Sequence, residues 1–125
     1  MSKQAFLKTE DKTYVIDSFR GLKGMKLLTR VSKYIFPFVS FMGNQNLEDD
    51  FIINELSTLL DGDNADKVSD LIVELVQEVT VDGMKLNFDT EFECNYDVLF
   101  KLVYEVLKLN YFESFQKLVT NLNQK

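Results

Sequence analysis

The side chains that could do chemistry are few, and they are poorly spaced for it. The chain has no histidine, which excludes Ser-His-Asp and Cys-His catalysis and any His-ligated metal. Its one cysteine, Cys94, can form neither an internal disulfide nor a cysteine-based zinc site, and Glu91, Glu93 and Asp97 nearby disfavour a thiolate. Cys94 therefore reads as a structural or incidental thiol. Asp61-Gly62-Asp63-Asn64-Ala65-Asp66 has the look of a calcium loop, but its glycine stands at position 2 rather than 6 and Ile72 stands where a bidentate glutamate is needed. Glu48-Asp49-Asp50 are adjacent, so on a helix they point in different directions and suit a first turn rather than a metal or an acid/base pair. Gly21-Leu22-Lys23-Gly24 has the spacing of neither a phosphate loop nor a dinucleotide fingerprint. No enzyme, cofactor or metal is expected.

What remains is binding chemistry. Lys23, Lys26, Arg30 and Lys33 recur at helical spacing and form a basic stripe, which suits a solvated face, the chain's own acidic residues or an acidic protein partner. Four charges bind nucleic acid or a lipid surface weakly, and a pI near 4.6 argues against both. A second candidate is aromatic: the final helical pattern carries apolar residues on more than one face. Phe100, Leu107, Tyr111, Phe112 and Phe115, with Phe36 and Phe38 of the first helix, read either as core or as a client or self-association surface.

These residues need elements to hold them. With 125 residues, 46% hydrophobic and 27% charged, the chain has the size and apolar content of one globular domain, with 1–12 and 121–125 expected as flexible flanks. Charge is segregated: residues 1–47 hold eight cations and three acids, 48–97 two and fifteen, and 98–125 four and two, so an acidic middle lies between basic ends that should attract it. The periodicity predicts a mainly α-helical fold of four principal helices near 21–42, 47–61, 64–78 and 96–122, with a minor β element from 13–16 and 79–88. In the first helix the apolar face reads as Leu22, Met25, Leu28, Val31, Ile35, Phe38, Val39 and Met42, with the basic stripe roughly opposite and a kink at Pro37. In the third, Val68, Leu71, Ile72, Leu75, Val76 and Val79 supply the core stripe. Asn46, Asp63 or Asn64, and Asn95 are the expected helix caps, and Asp82-Gly83 marks a tight hairpin. One short helical turn is expected near Phe92. The N-terminus has no apolar core of a signal peptide, and Tyr34–Met42 is about half the length of a membrane span, so a cytoplasmic location is expected.

Three stretches together resemble the tail assembly chaperones of long-tailed bacteriophages. Tyr14-Val15-Ile16-Asp17-Ser18-Phe19-Arg20-Gly21-Leu22-Lys23-Gly24 is similar to the family's short strand and its Arg-Gly-x-Lys-Gly lead into a first helix. Val79-Thr80-Val81-Asp82-Gly83-Met84-Lys85-Leu86-Asn87-Phe88-Asp89 looks like its Thr-Val-Asp-Gly segment followed by Phe-Asp. Phe100-Lys101-Leu102-Val103-Tyr104-Glu105-Val106-Leu107-Lys108-Leu109-Asn110-Tyr111, with Phe115, resembles its Phe-Lys-Leu-x-x-Glu-Val-Leu-Lys-x-Asn-aromatic helix, with Tyr104 where the family has Trp. The order and spacing agree over about residues 13–115. The resemblance implies a non-enzymatic protein of the host cytoplasm, absent from the mature virion. Such a protein binds the tape measure protein and keeps it soluble while the tail tube polymerises. The tail tube protein and a second copy of the chain are further partners the reading allows. The alternative is a small tail completion or connector subunit retained in the virion.

Overall fold

The computed structural model describes residues 3–35, 54 and 57–112. Two five-residue strands, β1 (Gln4–Lys8) and β2 (Thr13–Asp17), pair antiparallel across the turn at 9–12, with Phe6 opposite Val15 and Leu7 opposite Tyr14. Helix α1 (Gly21–Tyr34) follows. Residues 57–60 are helical, and after Gly62 the chain enters α2 (Ala65–Val76). Then come β3 (Thr80–Val81) and β4 (Met84–Lys85), the one-turn helix α3 (Phe88–Glu91) and α4 (Tyr96–Leu107). A π-helical segment, Lys108–Phe112, continues α4. The strands form one antiparallel sheet in the order β1-β2-β3-β4.

The fold is thus mixed α/β rather than mainly α with a hairpin. The difference lies at the N-terminus. Residues 1–12 read as a flank with a turn at 10–12, yet Gln4–Lys8 is a strand whose Ala5 and Leu7 pack on the core. Its pattern is hidden because Phe6, 57% exposed, stands on the outer face where a polar residue would have shown the alternation. The hairpin forms where expected but is shorter than 79–88. Asp82 and Gly83 have φ of 50° and 81°, both positive, which is the tight-turn conformation that right-handed strand twist selects.

Helix α2 follows its predicted stripe: Val68, Leu71, Ile72, Leu75 and Val76 are buried, as is Val79 just beyond it. It packs against both α1 and α4, while β1 packs against α4. With neighbours on several sides, α4 buries Leu99, Phe100, Leu102, Val103, Tyr104, Val106 and Leu107. A wide apolar face is what such a position requires, and the polar residues Asp97, Lys101 and Glu105 keep to one narrow stripe at four-residue steps. Phe92, after the short turn at 88–91, is fully buried with Phe88 edge-on to it at 5.0 Å. Asn64 and Asn95 stand at the N-caps of α2 and α4, but neither side chain makes the capping bond; Asn87 does so for α3, accepting from the Thr90 N–H at 3.4 Å.

The face of α1 is the second correction. Its buried residues are Leu27 and Val31, with Ile35 at the C-cap. Leu22 and Met25, read as core, are 64% and 60% exposed. The Leu27–Val31–Ile35 row, at four-residue steps, is the one that faces α2 and the core, and Leu22 and Met25 lie on the other side of the helix. Pro37, Asn46, Glu48-Asp49-Asp50 and the expected extensions 36–42 and 113–122 lie outside the described residues.

Candidate functional site

The first of the three sequence stretches quoted above touches the other two, one near each of its ends. β2 carries the first, the β3–β4 hairpin the second and the end of α4 the third. The Asp82 N–H donates to the Thr13 carbonyl at 2.9 Å, and Asp82 Oδ1 accepts from the Thr13 N–H at 2.9 Å, so the turn is clamped to the start of β2. At the other end the π-helical segment brings Asn110 and Tyr111 against the start of α1. Asn110 Oδ1 accepts from the Phe19 N–H at 2.8 Å while its Nδ2 donates to the Val106 carbonyl at 2.9 Å. The Tyr111 hydroxyl donates to the Gly24 carbonyl at 2.8 Å, and burial pushes its pKa up to about 12.

Beside the hairpin clamp, at the corner where it meets the start of β2, sits a polar latch. Glu91 Oε2 accepts from the Tyr14 hydroxyl at 2.5 Å and from Lys12 Nζ at 2.8 Å. Burial pushes the Glu91 carboxyl up, but the hydrogen bonds from Lys12 and Tyr14 and the Lys12 charge outweigh it and hold the group below its ordinary value. The hydrogen bond to Glu91 raises Lys12, and burial followed by the same carboxylate raises Tyr14. Among the described residues no buried side-chain polar atom lacks a hydrogen-bond partner, so the buried polar groups of this corner are engaged within the fold.

The binding candidates divide. Phe100, Leu107 and Tyr111 are buried, so these three belong to the core and not to a client surface in this conformation. Their apolar width reflects α4's central position. Phe36, Phe38, Phe115 and the Phe112 side chain lie outside the described residues. The basic stripe is on the surface, beside the buried face of α1 rather than opposite it. Lys23 pairs with Glu78 at 3.0 Å and lies over the Phe19 ring at 5.4 Å; Arg30 hydrogen bonds to Glu74. Lys33 lies over the Tyr34 ring at 5.2 Å. Lys26 is exposed and has no partner among the described residues. Lys12–Glu91, Lys23–Glu78 and Arg30–Glu74 each join the basic first third of the chain to its acidic middle, the attraction that the charge layout led us to expect.

Two features escaped the sequence. One is the latch, whose members lie 77 and 79 residues from Glu91. The other is the outward face of α1, where Leu22 and Met25 are exposed and Leu22 lines a groove of about 410 Å³ together with Lys23, Lys26, Leu27, Arg30 and Glu74. Cys94 is exposed, with a positive φ of 57°. Among the described residues no cluster of carboxylates and thiols has the geometry to hold a metal, and no helix is long and apolar enough to cross a membrane.

A family model described as "Phage tail assembly chaperone protein, TAC" matches residues 10–123. No curated protein and no solved structure matches the chain.

Proposed function

The chain belongs to the phage tail assembly chaperone family, and from that premise we propose that it binds the tape measure protein and keeps it soluble while the tail tube polymerises around it. Membership carries the proposal; the exposed aliphatic side chains of α1 are consistent with it. A chaperone of this kind covers apolar stripes on a long helical client that cannot bury them alone. It performs no covalent step. Release follows when the client gains better contacts with tube subunits, so each copy binds modestly and many copies line one client. The protein then acts in the host cytoplasm and is left out of the finished particle, with the tail tube protein and further copies of itself as secondary partners.

Co-expression with the cognate tape measure protein tests this. The soluble fraction of the tape measure protein should rise with the chaperone present, and mass spectrometry of purified virions should find no copy of the chain. A stoichiometric copy number in virions would favour a completion or connector subunit instead.

A further inference from the structure

We infer that the outward face of α1, centred on Leu22, Met25 and Lys26, docks an acidic amphipathic helix of the client; this deepens the tape-measure reading and rests on it. Leu22 and Met25 are three residues apart on one helix face, the spacing at which a partner helix lays an apolar stripe, and both are more than half exposed. Leu22 also lines the groove, with Leu27 deeper in its lining and cations along its rim. Among its walls Glu74 is the sole acid, and it is engaged by Arg30.

Charge decides the occupant. Residues 21–34 hold four cations and no acid. Among the described residues Glu74 and Glu78 answer Arg30 and Lys23, which leaves Lys26 and Lys33 in excess on α1. The chain as a whole carries −6, with −13 concentrated in residues 48–97. An acidic helix is therefore repelled by most of the molecule and attracted by this face, whereas a basic one would be drawn to the acidic middle. Nucleic acid fits less well: two aliphatic side chains offer no stacking platform, and the net charge opposes phosphates.

The test compares full-length variants co-expressed with the cognate tape measure protein. Leu22→Asp/Met25→Asp should keep the circular dichroism and thermal midpoint of wild type and lower soluble client by about tenfold or more. Lys26→Glu should weaken capture by roughly threefold at low salt, with the difference closing at high salt. Met84→Asp, an equally exposed methionine on β4, should behave as wild type. Wild-type-like capture by the double variant overturns the docking site and leaves the chaperone function standing; failure of folded wild type to solubilise the client overturns both. A Lys26→Glu variant with no salt-dependent defect overturns the acidic character of the partner. If the double variant melts, Leu22→Ser/Met25→Ser decides: melting again makes the face structural and ends the proposal, while a folded serine variant must show the capture defect. Binding of polyuridylate RNA that Lys26→Glu abolishes, with client capture intact, overturns it in favour of nucleic acid.

Discussion

The corner formed by the start of β2, the hairpin and Glu91, and the join between the end of α4 and the start of α1, differ in kind from the seam between α1 and α2. At the corner and the join, Glu91, Asn110 and Tyr111 each bond a group from a distant part of the chain, in part-buried surroundings. At the seam, apolar packing from Leu27 and Val31 is flanked by ion pairs that remain in water, with side chains 35% to 63% exposed. A hydrogen bond in a sheltered place is costly to lose because its partner is left unsatisfied, whereas an exposed ion pair is replaced by water at little cost. The segments that make the chain recognisable therefore hold the fold together, and the face with room for a partner lies beside them on α1.

The largest effect should come from the aromatic residues that the sequence left between core and surface. Phe100→Ala removes a buried ring from α4 and should cost about 3–5 kcal/mol, measured by urea denaturation. That is a large part of the stability of a domain this size. A loss below about 1 kcal/mol would mean that Phe100 is not core and would return it to the client surface.

Asn110→Ala comes next. It leaves the Phe19 N–H without its acceptor and the Val106 carbonyl without its extra donor, at a cost of about 1–3 kcal/mol. Asn110→Asp keeps the acceptor for Phe19 and should recover part of the loss. Equal loss in both variants would show that the amide's bond to Val106, not the tie to α1, carries the effect.

Glu91→Gln should cost about 1.5 kcal/mol at neutral pH, since hydrogen bonds to a charged acceptor become neutral ones. The pH dependence identifies the cause. A carboxylate held below its ordinary value of 4.5 contributes fully above that pH and loses its contribution as pH falls through the lowered value. Tyr14 and Lys12 are raised above 10.0 and 10.5, so their contribution is full below those values and fades as pH rises past them. The stability gap between wild type and Glu91→Gln should thus be flat from about pH 5 to 10 and narrow on both sides. A gap that persists unchanged into acid would assign the effect to packing.

Much of this framework was legible because some residues have few physical alternatives. Asp82-Gly83 announced its turn because consecutive positive φ values tolerate few other residues. The α2 stripe was legible because Val68, Leu71, Ile72, Leu75 and Val76 face the core on one side only. β1 was missed because Phe6 points to solvent and breaks the alternation that marks a strand. The face of α1 was misread because counting apolar residues gives Leu22 the same weight as Leu27, and only the packing of α2 decides which of the two is covered. On α4 the width of apolar surface was visible, but whether neighbours covered it depended on β1 and α2, which are remote in sequence. The stripe's cations were identified as one group, yet their acidic partners, Glu74 on α2 and Glu78 just beyond it, were only implied by the segregation of charge.

The smallest effect is the one that tests the seam itself. Arg30 and Glu74 hydrogen bond across α1 and α2, but their side chains are 35% and 44% exposed. Water competes for both, and two flexible side chains must be ordered to keep the pair. A double-mutant cycle of Arg30→Ala and Glu74→Ala should therefore return a coupling of about 0.2–1 kcal/mol that declines with added salt. Lys26→Ala, with no partner to lose among the described residues, should leave the unfolding midpoint unchanged. A coupling above about 2 kcal/mol, insensitive to salt, would place the pair with the sheltered bonds of the corner. The seam would then be as rigidly specified as the motif junction. With a weak coupling, the two helices are held chiefly by Leu27 and Val31 against α2, and the cations above them stay available to a partner that brings its own carboxylates.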